Sequence, residues 1–324
     1  MKKGFYTILT FLFCAFTQIT AQNTPHFSQY LFVQSTFNPA YNGTQVGINL
    51  EGSIRGQWLG IEGAPMSQTF SVHTSVPYFK SGIGLQIKND LTGALRNTGI
   101  NLSYAYQLIQ NKQSLLSVGI SGGFSQQYLD GSKIVTPQGL YEEQINHEDD
   151  LLSNNTTTTT IPNLNVGIYF QNSQLELGLV AQNILEADFK NGLDGQVVSQ
   201  QKMTFNVYGS YTMDIGMRYQ LRPFGSLITD MNNYQTSIGV IGTYEQLLSA
   251  GISFRGYNKN SVDALIGMLA YQISPKWKIG YSYDLAVSAI RIATNQTHEL
   301  TINYRLIDSF SSKSGNILYN PRFL

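Results

Sequence analysis

The chain has 324 residues, and its 20 lysines and arginines balance its 20 aspartates and glutamates, so it has no excess positive charge with which to attract nucleic acid. Charged residues make up 12% of the sequence, about half the share that is usual in soluble domains. Such a low share, with 20 tyrosines and 30 glycines, excludes an ordinary water-facing surface over much of the chain and favours contact with lipid.

The first 21 residues have the composition of a secretory signal peptide. Lys2 and Lys3 give a positive start, Gly4–Phe16 is mostly apolar, and Ala21 offers a small residue for cleavage. At roughly a dozen residues the apolar run is too short for a spanning helix, which argues against the alternative of an N-terminal anchor. We therefore expect residues 1–21 to be removed.

The single cysteine, Cys14, lies within this signal peptide. It follows Phe13, whereas a lipoprotein cleavage site needs a small residue before the cysteine, so we do not expect a lipid anchor. The mature chain, 22–324, then has no cysteine, no disulfide and no thiolate metal site.

The next feature is an alternation of apolar and polar residues with a period of two. From Val46 to Trp58 every second residue is apolar or glycine, while the opposite face is polar or glycine and includes Glu51 and Arg55. A strand separates residues in this way, whereas a helix would distribute them around its axis. The pattern occurs in fourteen segments, near 45–58, 66–77, 81–90, 97–108, 114–128, 162–171, 174–183, 202–213, 215–229, 234–244, 247–257, 260–272, 275–288 and 296–307.

These segments predict an all-β chain that forms a transmembrane antiparallel β-barrel of about 14 strands over residues 45–307. Most of them reach the roughly 9–11 residues that a tilted strand needs to cross the hydrocarbon layer. Aromatic residues such as Trp58, Tyr78 and Trp277 gather near segment ends, either as an interfacial girdle or through the ordinary preference of aromatics for strands.

The lengths of the connections predict the orientation. Even-numbered connections are short, and the long ones, 129–161, 184–201 and 289–295, are odd-numbered, although connections nine and eleven are short as well. Outer-membrane barrels have short periplasmic turns and long external loops. We therefore expect both flanking segments, 22–44 and 308–324, to lie on the periplasmic side.

The mature start carries two motifs, His26–Tyr30 (HFSQY) and Phe37–Gly43 (FNPAYNG). Further motifs are Arg55–Trp58 (RGQW), Gly63–Pro65 (GAP), Gly82–Gly84 (GIG), Asn89-Asp90, Gly280–Asp284 (GYSYD), His298–Leu300 (HEL) and Asn320–Phe323 (NPRF). With these motifs, the chain resembles the PorP/SprF family, outer-membrane proteins of the Bacteroidetes type IX secretion system, over nearly all of its mature length.

The resemblance implies an outer-membrane protein that acts in protein secretion as partner or carrier of a secreted surface protein. The implied partners are an adhesin or another protein with a C-terminal sorting domain, and the translocon or a periplasmic component bound to peptidoglycan. We predict partner contacts at both ends of the mature chain, with packing against the barrel as the alternative. The candidate residues are Phe27, Tyr30, Asn38, Pro39, Tyr41, Asn320, Pro321, Arg322 and Phe323.

No catalytic, cofactor or metal site is expected. The four histidines, His26, His73, His147 and His298, show no metal-ligand spacing. The acidic run 147–150 is either a calcium site or a solvated loop. Ser71 and His73 share a face, with Asp90 on the next segment, but residues at i and i+2 of one strand rarely make a nucleophile–base contact. The alternatives to the secretion role are a passive porin-like channel and, less favoured, a hydrolase active at the barrel rim.

Two further groups of residues are charges that face the predicted lumen and glycines within the predicted strands. Inward charges either line a pore or pair across the lumen, and glycines relieve crowding where the barrel bends. The charges are Glu51, Arg55, Lys88, Glu176, Arg218 and Arg222, and the glycines are Gly52, Gly56, Gly119, Gly122 and Gly123.

The predicted orientation is testable with protease on whole cells. The polar, low-complexity run 153–160 lies in the longest odd-numbered connection, and exposed polar loop tips are cut easily. We expect cleavage there in intact cells, detected by blotting. Cleavage only after the outer membrane is breached would reverse the orientation.

Overall fold

The computed structural model describes residues 26–134, 136, 156–190, 197–257 and 261–306. The predicted signal peptide 1–21, the tail 308–324 and the acidic run 147–150 lie outside the described residues. Within the described ranges the strands are β1 Ile48–Gly56, β2 Met66–Val76, β3 Ser81–Thr92, β4 Leu95–Gln110, β5 Ser114–Asp130, β6 Thr156–Asn172, β7 Leu175–Gln182, β8 Asp188–Lys190, β9 Val197–Gln200, β10 Thr204–Tyr211, β11 Met213–Ile215, β12 Tyr219–Thr229, β13 Tyr234–Tyr244, β14 Leu248–Tyr257, β15 Ser261–Ser274, β16 Trp277–Ala286 and β17 Thr297–Leu306.

Fourteen of these strands close into one antiparallel barrel, as the alternation predicts. Each pairs with its neighbours along the chain, β1 pairs with β17, and β10 pairs with both β7 and β12. The short strand β11 continues β10 along β12, and β8 and β9 form a separate hairpin. Every predicted segment coincides with a barrel strand; the largest difference is β6, which begins at Thr156 and so shortens the predicted loop 129–161.

The helical elements of the described residues are short 3-10 turns. They are Tyr30–Phe32, Gln34–Thr36, Pro39–Tyr41, Pro77–Phe79, Gly131–Lys133 and Ala289–Ile292. In the described part of the chain no helix has the length and apolar character needed to cross a membrane.

The two faces of the barrel wall reverse the burial of a soluble protein. Apolar side chains point outward and are exposed, for example Leu102 at 68% and Ile252 at 62%. The inward positions of β1 hold Glu51, Ser53 and Arg55, all of them buried. Because the backbone groups pair around a closed ring, such a wall is stable with lipid outside and polar groups inside.

The two ends of the barrel differ in their connections. The short-turn end carries the turns β2–β3, β4–β5, β6–β7, β13–β14 and β15–β16, and the long-loop end carries the loops after β1, β5, β7 and β16. Aromatic pairs lie at the short-turn end, where the ring centroids of Trp277 and Tyr304 are 4.4 Å apart. Towards the long-loop end, the outward side chains of Gln68, Asn89 and Thr98 form a hydrogen-bonded row. The apolar band lies between these two borders.

A charge in the middle of this band should destabilise the barrel. Leu102→Arg puts a guanidinium on the lipid face midway along β4, and we expect the free energy of unfolding in lipid vesicles to fall by about 2–4 kcal/mol. The matched control is Gln126→Arg, which also faces outward but lies beside the polar row, with an expected cost of about 0–1 kcal/mol. Equal losses in a urea titration would contradict the assigned lipid band.

Candidate functional site inside the barrel

Residues 26–44, here called the plug, lie inside the barrel. This segment contains no aspartate, glutamate, lysine or arginine, so its burial costs no unpaired side-chain charge. Its last turn is capped by Asn38, whose Oδ1 accepts from Ala40 N at 2.9 Å, and Pro39 stands at the first position. We expected a segment on the periplasmic side of the wall, whereas the described part occupies the lumen.

Carboxylates of the wall hold the plug at points around the ring. Glu299 on β17 accepts from Ser28 N at 2.7 Å and from Gln29 N at 3.1 Å. Glu51 on β1 accepts from Ser35 N at 3.1 Å. On β7, Glu176 accepts from the side-chain amide of Gln34. Charge-assisted bonds of this kind are about twice as strong as neutral ones, so they fix the position of the plug in the lumen.

An apolar patch on the inner wall receives the first turn of the plug. Tyr30, Leu31 and Phe32 pack there, and the Tyr30 ring meets those of Tyr208 and Phe224 edge-on, with centroids 5.9 and 6.0 Å apart. The wall residues of the patch are Val180, Tyr208, Phe224, Ile241, Ala264, Ile266, Met268 and Ala270. Burying each large apolar side chain contributes roughly 1.5–3 kcal/mol, so this turn is a strong anchor.

Inward glycines let the plug approach the wall closely. A Cβ atom at Gly119 would collide with the backbone of Pro39 and Ala40, and one at Gly167 would collide with Asn38. In the same way, a Cβ atom at Gly82 would collide with Asn42, and one at Gly280 would collide with Gln29. At Gly119, therefore, the glycine accommodates the plug rather than a bend in the barrel. Gly122, on the outward face of the same strand, has only Asn163 O within contact distance, at 3.9 Å.

Two sets of inward charges form ion pairs along the inner wall, between strands that are adjacent or next but one in the ring. Arg55 contacts Asp284 at 2.8 Å and Glu299 at 3.1 Å, and Arg255 contacts Asp263 at 3.0 Å and also Asp284. The second set joins Glu176 on β7 to Arg222 on β12. Of the two alternatives for the inward charges, these contacts favour pairing over an open pore.

One of the predicted inward charges does not face the lumen. Arg218 lies in the turn before β12, with its side chain 68% exposed and 3.5 Å from Glu245. The sequence places this segment from residue 215, whereas β12 begins at Tyr219, so the inward assignment of Arg218 is wrong. Lys88 is inward and lies over the ring of Phe37, 5.8 Å from its centroid.

A cavity of about 170 Å³ remains at the long-loop end, above the plug. His26 forms part of its floor, and Lys88 and Asp90 lie in its wall. Most of the other polar lining consists of amides: Asn97, Asn101, Gln127, Asn163, Asn165, Gln182, Asn183, Gln200 and Gln201. We call this cavity the vestibule. Near the short-turn end the described gaps are only about 10 and 40 Å³, so the plug separates the vestibule from that end.

The structure brings together the predicted site residues of the mature start. All five are buried in the plug: Phe27, Tyr30, Asn38, Pro39 and Tyr41. There they contact the wall or neighbouring turns of the plug. That placement agrees with the packing alternative, and contact with a partner stays a prediction. Asn320, Pro321, Arg322 and Phe323 lie outside the described residues.

The three residues considered for catalysis have separate contacts. Ser71 Oγ lies 2.5 Å from Ser35 Oγ of the plug, and His73 faces Glu51 at 3.6 Å. Asp90 lines the vestibule instead. The described residues contain no group of three or more potential metal ligands.

The plug itself is what sequence reasoning missed. Its signal was present as an uncharged segment with an Asn-Pro cap, together with glycines at inward positions of several strands.

A closed antiparallel ring with an apolar exterior and a polar, filled interior is an outer-membrane β-barrel. Residues 19–304 match the model of a family described as type IX secretion system membrane protein PorP/SprF. The chain belongs to the PorP/SprF family.

The barrel is also similar to solved outer-membrane structures at low identity. Omp33 of Acinetobacter baumannii is 11% identical, with a TM-score of 0.47 over 82% of this chain and 100% of that one. The toluene transporter TbuX of Ralstonia pickettii is 10% identical, with a TM-score of 0.48 over 83% and 92%. The toluene transporter TodX of P. putida is 6% identical, with a TM-score of 0.48 over 83% and 94%. A comparison with curated proteins gives no match.

The buried charge cluster gives a test of how the lumen is stabilised. Asp284→Asn removes the charge of the one carboxylate that Arg55 and Arg255 share, and we expect the free energy of unfolding to fall by about 3–5 kcal/mol. Glu245→Gln breaks the exposed pair with Arg218 and should cost about 0–1 kcal/mol. Both variants are measured by urea titration in vesicles. An Asp284 variant as stable as wild type would show that the charge cluster does not stabilise the lumen.

Proposed function

We propose that this barrel acts in type IX secretion as a partner or carrier of a secreted surface protein. Membership of the PorP/SprF family supports the secretion role. The observation that carries the proposal further is that the lumen is filled by the chain's own residues 26–44. A barrel closed at rest is suited to hold a protein at its mouth rather than to pass solutes freely.

The passive porin is the less suitable alternative for the same reason. The plug contacts widely separated parts of the ring: Glu51 on β1, Glu176 on β7 and Ile241 on β13. Any resting solute path would have to cross this packed segment.

The long-loop end offers the surface for a secreted protein. The strands β5 and β6 are the longest of the barrel, with 17 residues each, and they extend one side of the rim. On its inner side Gln127 donates to Asn97 at 3.1 Å and to Ser199 of the β8–β9 hairpin at 3.0 Å. Amide groups both donate and accept hydrogen bonds, as does a polypeptide backbone. The amide-lined vestibule therefore suits a segment of polypeptide.

The tail supplies the second partner in this proposal. Residues 308–324 lie outside the described ranges, but their sequence includes Ile317, Leu318, Tyr319 and Phe323, which suit a contact better than free solution. We assign this tail to the secretion machinery on the periplasmic side, in line with the orientation predicted from the loops.

Co-purification tests the proposal. The full-length barrel, extracted in mild detergent from cells that express it at native level, should retain a secreted protein with a C-terminal sorting domain and translocon components, identified by mass spectrometry. The variant lacking 316–324 should insert as a folded barrel, shown by a gel shift between unheated and boiled samples, but should fail to support export. The matched control is another outer-membrane barrel isolated in parallel. Recovery of neither class of partner, or normal export by the truncated barrel, would overturn the respective part of the proposal.

A further inference from the structure

The plug contains no aspartate, glutamate, lysine or arginine, whereas the inner wall has ion pairs of its own. This difference makes the plug and the wall separable. We propose that residues 26–44 form a removable plug, and that the barrel has a second activity as a gated channel for ions and small polar solutes that is shut at rest. This activity goes beyond the proposed function and needs no secreted partner.

The arginine ion pairs of the lumen form without the plug. Arg55 and Arg255 are paired with carboxylates of the wall, and Arg222 is paired with Glu176. The plug contributes no aspartate, glutamate, lysine or arginine to either set. Its departure would therefore break none of these ion pairs, and water could solvate Glu51, which now accepts from Ser35, together with the serines, threonines and amides that line the inner wall.

Within the described residues, the plug is attached through side-chain contacts and through its covalent link to β1. No residue between 26 and 44 belongs to a strand that pairs with the barrel, so no backbone ladder has to break. The tether into β1 contains Gly43 and Gly47, both with φ of +80°. Glycine adopts this left-handed conformation without steric cost and can leave it as readily, so the two positions suit a hinge.

The lumen without the plug is wide enough for a path. Small barrels of about 8 strands are filled by their own side chains, whereas those of about 16–18 strands leave an aqueous channel. This barrel has 14 strands, and a whole segment of chain, 26–44, fits inside it. Its removal would join the vestibule to the short-turn end through a passage lined by polar residues and, on one side, by the apolar patch.

A steric variant should open the channel. Gly119→Leu places a side chain where Pro39 and Ala40 lie, whereas Gly122→Leu adds the same side chain to the outward face of the same strand, where there is space. With purified protein in planar bilayers, we expect the leucine at 119 to raise the open fraction by roughly tenfold or more over a resting population of about 0.1–10%. The leucine at 122 should behave as wild type.

A reversible lock should close it again. The hydroxyls of Ser35 and Ser71 lie 2.5 Å apart, and the sole cysteine of the chain is Cys14 of the predicted signal peptide. Ser35→Cys with Ser71→Cys therefore ties the plug to β2 through one disulfide. Added to Gly119→Leu, it should suppress conductance when oxidised and restore it after reduction. Thr243→Cys with Ser249→Cys, whose hydroxyls are 3.0 Å apart on β13 and β14, links two wall strands and should not respond to reductant.

Folding of each variant is checked by the gel shift between unheated and boiled samples. If Gly119→Leu does not fold, Ser28→Ala with Ser35→Ala replaces it, because these changes remove only the hydroxyls that contact Asp284 and Glu51. A folded variant of either kind that conducts no more than wild type overturns the proposal, as does conductance that the oxidised lock leaves unchanged. Either result is independent of co-purification, so it leaves the secretion role untouched.

Discussion

The constraint on which the structure depends is that lipid occupies the outside of the wall. Apolar side chains such as Leu102 and Ile252 then have to point outward, and every second residue of each strand is left facing a lumen that lipid cannot fill. The inward positions carry polar and charged groups, which need partners once they are buried. The plug supplies many of those partners, so the wall and residues 26–44 each provide contacts for the buried polar groups of the other.

The plug owes its place to a division of the inner wall. Carboxylates on β1, β7 and β17 accept hydrogen bonds from its backbone and its amides, while the apolar patch, which extends from β7 through β10, β12 and β13 to β15, takes Tyr30 to Phe32. Hydrogen bonds fix direction and apolar burial contributes most of the attraction. A segment with the wrong order of polar and apolar residues would leave carboxylates or aromatic rings without contacts. The lumen therefore selects this sequence rather than any uncharged peptide.

This division also explains what the sequence could predict. A strand that faces lipid on one side and polar groups on the other carries a period of two, so the strands and their number follow from the alternation. The plug has no such period, because its 3-10 turns are buried on all sides and their residues answer to contacts with distant strands. Arg218 was assigned to the lumen for a related reason. The alternation continues through the turn before Tyr219, so it does not show where the turn ends and the strand begins.

The motifs that carry the family resemblance gain a physical meaning from the plug. They are far apart in the sequence, yet Ser28 of the first motif donates to Asp284 and Glu299, which belong to two other motifs, and accepts from Arg55 of a fourth. Gly82, in the GIG motif, gives Asn42 room to approach. Strands of many sequences satisfy a lipid-facing wall, so the wall alone imposes few particular residues. The fit between plug and lumen imposes more, and six of the motifs, HFSQY, FNPAYNG, RGQW, GIG, GYSYD and HEL, take part in this fit.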